Sequence, residues 1–125
     1  MTWLLVAEDD DDLREQLADV LRGHGYVVHT ACDGAAAVRM LDVAESLPAL
    51  MLLDLLMPNV SGREVLEAMR SLAKTRDVPV VVVTGIDTEG MGLSVFRVKD
   101  ILLKPVSVDR LMGVVRRVVG RRLGS

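Results

Sequence analysis

Polar side chains with chemical potential stand where apolar runs of this 125-residue chain end. Glu8 and Asp9 follow Trp3 to Ala7, Asp54 follows Ala49 to Leu53, Thr84 follows Val80 to Val83, and Lys104 follows Ile101 to Leu103. If the runs are parallel strands of one sheet, their carboxyl ends share an edge, so three carboxylates, a hydroxyl and an ammonium converge there. Such a set suits the loading of a phosphoryl group onto a carboxylate. Asp54 would attack phosphorus to give a mixed anhydride, a covalent route in which nucleophile and incoming group are both anionic. Positive charge must therefore sit beside Asp54, and Lys104 can supply one point charge to a phosphoryl oxygen. Leu55 and Leu56 follow Asp54. No second carboxylate stands two residues on, as a phosphatase with paired aspartates would need for acid and base work. Asp10, Asp11 and Asp12 fit a plainer purpose at a helix start, where acids favour the dipole and cap free amides.

The elements that must position these groups are written in the periodicity. Apolar runs alternate with segments of helical period, the pattern of a parallel sheet covered on both faces. Leu13, Leu17, Val20 and Leu21 predict a helix ending at Gly23 and Gly25. Tyr26 to Thr30 reads as the second strand, and Asp33-Gly34 turns into a second helix through Val38, Leu41 and Glu45. Pro48 precedes the third strand, 49–53. After a loop with Pro58, Asn59 and Gly62, a third helix presents Val65, Leu66, Met69 and Leu72. Pro79 opens the β-branched strand 80–83, 101–103 makes a short fifth strand, and a last helix from Val108 to Arg122 buries Leu111, Val114, Val115 and Val118. Five β-α units are expected. Between Gly85 and Lys99 the fourth helix should be short or mobile, because Gly90 and Gly92 each cost about 1 kcal/mol in a helix interior. That weakness suits a conformational switch, and equally a loop on which nothing depends.

Composition bounds the function. Half the residues are hydrophobic and the net charge is −3, so a single domain over 1–125 with a true core is expected, without a global field for nucleic acid or anionic lipid. The aromatics are Trp3, Tyr26 and Phe96, too few for a base-stacking platform. Cys32 is the one cysteine, and no apolar stretch is long enough to span a bilayer or precedes a cleavage site. The cytoplasm is the expected compartment, and Met1, just before the first strand, reads as a natural start. His24 and His29 lack metal-ligand spacing. Arg116, Arg117, Arg121 and Arg122 suit the negative end of a helix dipole or a solvated face.

The segments LLVAEDD, LLDLLMPNVSG, VVVVTG and DILLKP, in this order over essentially the whole chain, resemble a receiver domain of two-component response regulators. The resemblance implies a three-layer α/β/α, flavodoxin-like fold with a five-stranded parallel sheet of order 2-1-3-4-5. It implies Asp54 as phosphoacceptor and magnesium as cofactor, a cation suited to carboxylates, phosphate oxygens and water. By the same resemblance Asp9 and Asp54 ligate the metal directly, Glu8 reaches it through water, and the Leu56 backbone carbonyl completes the protein's share. Lys104, followed by Pro105 in a cis bond, pairs with the phosphoryl group. Thr84 rotates to donate to it, and Gly85 leaves it room. The implied donor is a histidine kinase or histidine phosphotransfer protein, and the implied receiver of the signal is a downstream output domain or protein, with a homodimer as one form of the active state. Neither nucleic acid nor membrane is a direct partner. The chain would act only on its own phosphorylation and dephosphorylation, not as an enzyme on other substrates.

Three departures from the family pattern affect mechanism. Ile101 stands where many receivers place an aromatic that swings inward, the interval from Thr84 to Lys104 is a couple of residues short, and Leu56 and Ile86 occupy the positions that modulate hydrolysis. Neither can orient an attacking water, so a long-lived aspartyl phosphate is expected. The missing aromatic and short interval also motivate a second reading, a receiver-like scaffold that docks partners through its fourth-helix and fifth-helix region without phosphorylation. A flavodoxin-like nucleotide binder would need a glycine-rich loop after the first strand, where this chain has acids.

Overall fold

The computed structural model describes residues 2–123, with side chains through Gly120. Met1, Gly124 and Ser125 lie outside the described residues, as do the side chains of Arg121 and Arg122, so the expectations placed on them stay outside too. The elements are β1 (Trp3–Ala7), α1 (Asp11–Gly23), β2 (Val27–Ala31), α2 (Gly34–Val43), β3 (Leu50–Leu53), α3 (Gly62–Ser71), β4 (Val80–Thr84), a 3-10 helix (Leu93–Phe96), β5 (Asp100–Leu103) and α4 (Val108–Leu123). All five strands are parallel, in the order β2-β1-β3-β4-β5.

Strand residues alternate faces, and in a sheet covered on both sides each face requires its own core. Leu5, Ala7, Met51, Leu53, Val80 and Val82 face α2, α3 and the 3-10 helix, meeting Ala37, Leu41, Val65, Leu66 and Phe96. Leu4, Val6, Leu50, Leu52, Val81 and Val83 face α1 and α4, meeting Leu17, Leu21, Leu111, Val115 and Val119. The continuous apolar runs in the sequence reflect this double burial. The helices start at side-chain caps: Asp10, Asp33 and Ser61 each accept from an amide of the following turn, and Ser61 with Glu64 completes a capping box.

The structure corrects the element expectations at several points. No α-helix joins β4 to β5; the 3-10 helix of four residues stands there instead. Gly90 and Gly92 lie at φ 82° and 67°, a left-handed backbone that breaks a right-handed helix before Leu93. The fourth β-α unit is therefore incomplete, and β5 with α4 completes the fifth. Leu72 caps the end of α3 and is exposed rather than buried, since the helix stops at Ser71. Glu45 falls beyond the end of α2, and Tyr26 precedes β2. On α4 it is Val119 that is fully buried, with Val118 at the margin of the core.

Candidate functional site

Strand register brings the polar strand ends together. Ala7 pairs with Leu53, and the Asp54 amide donates to the Ala7 carbonyl at 3.1 Å, so Glu8 and Asp54 leave neighbouring strands side by side. On the other flank Leu53 pairs with Val82 and Thr84 with Leu103, which sets Thr84 and Lys104 on the same edge. The expected convergence therefore follows from topology and register.

Glu8 and Asp54 are buried, at 2% and 3% exposure, and Asp9 beside them is exposed. One carboxylate oxygen from each of the three lies within 4.8 Å of the others. Lys104 Nζ stands 3.1 Å from Asp54 Oδ2, to which it donates, and 2.7 Å from Glu8 Oε1. The approach to Glu8 lacks hydrogen-bond direction, so Oε1 is a buried acceptor with charge nearby but no donor aimed at it. Glu8 Oε2 accepts weakly from the Asp10 amide at 3.3 Å. Burial above all, then the neighbouring carboxyls of Asp54 and Asp9, hold the Glu8 pKa up at about 7 despite Lys104. For Lys104, burial pushes the ammonium down, but Glu8 and Asp54 together outweigh it and raise its pKa. The amine stays charged.

Asp54 Oδ1 accepts from the Leu56 amide at 3.1 Å, which fixes the carboxylate and the peptide behind it. Thr84 is fully buried, its hydroxyl accepting at a long 3.4 Å from the Ile86 amide, while its carbonyl accepts from the Lys104 amide at 2.9 Å. The Lys104-Pro105 peptide is cis, as the resemblance implies. At Gly85 an added Cβ would meet nothing nearer than Lys104 Cδ at 4.0 Å, so there is open space beside the lysine. Asp10 caps α1 and Asp11 and Asp12 stand in its first turn, the plainer purposes expected of them, and Asp11 also pairs with Arg14. His24 caps the end of α1.

Two contributors escaped the sequence reading. Arg14 Nη1 donates to the Glu8 carbonyl at 3.0 Å and so braces the acidic turn. A basic residue one turn into the helix was its only signal. Gly62 is compulsory: a Cβ there would lie 2.3 Å from the Asp54 carbonyl oxygen. The glycine after Ser61 in the quoted loop motif could have flagged it.

Three carboxylates around an undersatisfied buried oxygen form an all-oxygen donor set, which fits a hard divalent cation such as magnesium and not a soft metal. Asp9 leaves one side open to water, which magnesium retains. With Lys104 at the border, the arrangement can gather anionic oxygens around Asp54 and offset their charge.

The family description "Response regulator receiver domain" matches residues 4–116. The chain is 35% identical, over an alignment of 126 residues, to the sensory transduction protein RegX3 of Mycobacterium tuberculosis, covering 97% of this chain and 52% of that protein. It is 34% identical to the response regulator MprA of Mycobacterium ulcerans, covering 94% and 50%. The chain thus spans about half the length of these curated relatives. Among solved structures, the response regulator TrrA of Thermotoga maritima, in complex with magnesium and beryllofluoride, superposes with a TM-score of 0.81 at 28% identity, covering 94% of this chain and 99% of that one.

Proposed function

The chain belongs to the response regulator receiver family of two-component signalling, and from that premise we propose that it accepts a phosphoryl group on Asp54 from the phosphohistidine of a sensor kinase or phosphotransfer protein. The observation that carries this reading is the meeting of Asp54, Glu8 and Asp9 within 4.8 Å, with Lys104 Nζ bonded to Asp54 Oδ2. An Asp54 oxygen attacks phosphorus, the P–N bond of the donor breaks as the new P–O bond forms, and the leaving imidazole takes a proton from solvent. The protein supplies position and charge, which is most of what phosphoryl transfer demands.

Glu8, Asp9, Asp54 and the Leu56 carbonyl would hold magnesium, as its complex with TrrA supports. When bound, the ion neutralises charge between Asp54 and the phosphoryl oxygens. Lys104 moves its pairing from Asp54 Oδ2 to a phosphoryl oxygen. The Thr84 hydroxyl, held only at 3.4 Å by the Ile86 amide, is free to turn and donate to another. Movement of Thr84 then biases an existing equilibrium of the chain beyond it toward the signalling form. The signal passes to an output domain or protein, with a homodimer as one form of the active state, and the cytoplasm is the compartment that such a donor implies.

The test is incubation with magnesium and a small acyl phosphate, read as one added phosphoryl group by intact mass. Wild-type protein should gain it, and Asp54→Asn should not. The incomplete unit between β4 and β5 motivates the second reading, a scaffold without phosphorylation; an unmodified wild-type mass, with a positive control loading normally, would favour that reading instead.

A further inference from the structure

Four cationic side chains meet at the edge of the sheet opposite Asp54. Arg70 near the end of α3, Arg76, Arg97 and Lys99 line a cavity of about 110 Å³ over Val78 and Pro79, with Asp77 as its one carboxylate. Pro79 and Lys99 directly precede the first residues of β4 and β5, whose far ends carry Thr84 and Lys104. Elsewhere arginines find acids, as Arg14 does with Asp11, Arg63 with Glu67 and Arg117 with Asp100. Among the described residues, none of these four has a carboxylate oxygen within ion-pair distance.

Two of the four, Arg70 and Arg97, are held in place by backbone carbonyls. Arg70 donates through Nε to the Phe96 carbonyl at 2.7 Å and through Nη1 to the carbonyls of Arg76 and Val78 at 2.9 and 2.8 Å. Arg97 donates to the same Arg76 carbonyl at 3.1 Å from a left-handed backbone, φ 56°, which a residue with a Cβ adopts only against a steric cost. Neutral carbonyls fix geometry without cancelling charge. Burial, and then the like charge of Arg97, push the Arg70 guanidinium below its ordinary pKa. In a chain of net charge −3, four cations facing the single carboxylate of Asp77 leave a local excess of positive charge, and guanidinium groups match the geometry of oxyanions.

We propose that this cleft binds a small phosphate-type anion, either free phosphate or the terminal group of a phosphomonoester. The volume accommodates one tetrahedral oxyanion, and the remainder of an ester would extend into solvent. The site shares no residue with the acidic edge, so it stands whether or not Asp54 is phosphorylated.

The experiment is a titration of isotope-labelled protein with inorganic phosphate, followed by amide NMR shifts at constant ionic strength in chloride and without magnesium. Saturating shifts should cluster at residues 76–79 and 97–100 and leave residues 8–9, 54–56 and 84 in place. Arg76→Ala with Lys99→Ala, two exposed positions, should weaken binding by about tenfold or more while the rest of the spectrum keeps its dispersion. Repetition with a sugar phosphate distinguishes the sources: tighter binding assigns an ester, equal or weaker binding the free ion. Shifts that do not saturate, that centre on Asp54, or that persist undiminished in the double variant would overturn the proposal.

Discussion

Glu8 sets folding against binding. A carboxyl at 2% exposure with one undersatisfied oxygen is costly when ionised, and its pKa of about 7 against an ordinary 4.5 expresses that cost. Because the folded pKa is raised, the group's contribution is fully present below about pH 4.5 and is lost as pH rises through about 7. Metal-free protein should therefore lose up to roughly 3 kcal/mol of stability across that interval. Denaturant melts at a series of pH values check this, and Glu8→Gln should flatten the profile while weakening magnesium binding about tenfold or more. A variant that keeps the wild-type slope would remove Glu8 from the account. Leu56 is exposed and Ile86 partly so near Asp54, and neither could hold a water in line for attack on a phosphoryl group there. Labelled phosphoprotein should persist for hours with magnesium, and Leu56→Glu should shorten its life several-fold; loss of wild-type label within minutes would contradict this. At this scale the sequence disclosed Glu8, Asp9, Asp54, Thr84 and Lys104, because each ends an apolar run. It did not disclose the Leu56 amide on Asp54, the Arg14 brace or the elevated pKa, all of which arise from chain segments meeting in space.

The elements hold these residues through contacts of unequal strength. The turn between β3 and α3 is rigid: the Gly62 amide donates to the Leu55 carbonyl at 3.0 Å, and a Cβ on Gly62 would lie 2.6 Å from Leu55 Cα as well as striking the Asp54 carbonyl. Gly62→Ala should cost about 3 kcal/mol, since backbone cannot yield as a side chain can, and should impair acyl phosphate loading along with thermal stability. The connection from β4 to β5 is the weak counterpart. A single 3-10 helix anchors it, through Leu93 and Phe96 in the core and through Arg63, which donates to the Met91 carbonyl and stands 5.1 Å from the centre of the Phe96 ring. Arg63→Ala should remove about 1 kcal/mol of local stability and accelerate hydrogen exchange over residues 86–96, leaving β4 protected. Exchange that rises equally throughout the chain would show that this connection is not a separate unit. Periodicity made the four α-helices and five strands legible because each buries a repeating face. It failed between Gly85 and Lys99, where two glycines with positive φ abolish the repeat and only tertiary contacts define the path.

For the molecule as a whole, one sheet joins two cores, and the site lies at the end of the strands common to both. Leu4 and Leu5 are adjacent on β1, fully buried, and point into opposite cores. Each replaced by Ala should cost about 2–5 kcal/mol, yet unfolding should remain a single transition in both variants, because neither helical layer can leave without exposing the sheet that the other needs. Two resolved transitions in either variant would mean that the faces are independent. This global coupling lets a local charge change act on the entire fold. Magnesium held at the acidic edge as proposed would bind only the folded chain, so it should stabilise the molecule by about 3 kcal/mol at a hundredfold excess over its dissociation constant. Glu8 must give up its proton to join the ion, so the gain in Tm should be large above about pH 7 and shrink toward pH 5. Asp54→Asn should lose most of that gain and, because the Asp54 carboxyl helps to hold the Glu8 pKa up, should also soften the pH dependence of the metal-free fold. A gain in Tm that ignores both pH and Asp54 would place the ion elsewhere, because only at the shared carboxylates do the proton, the metal and the global fold compete for the same charge.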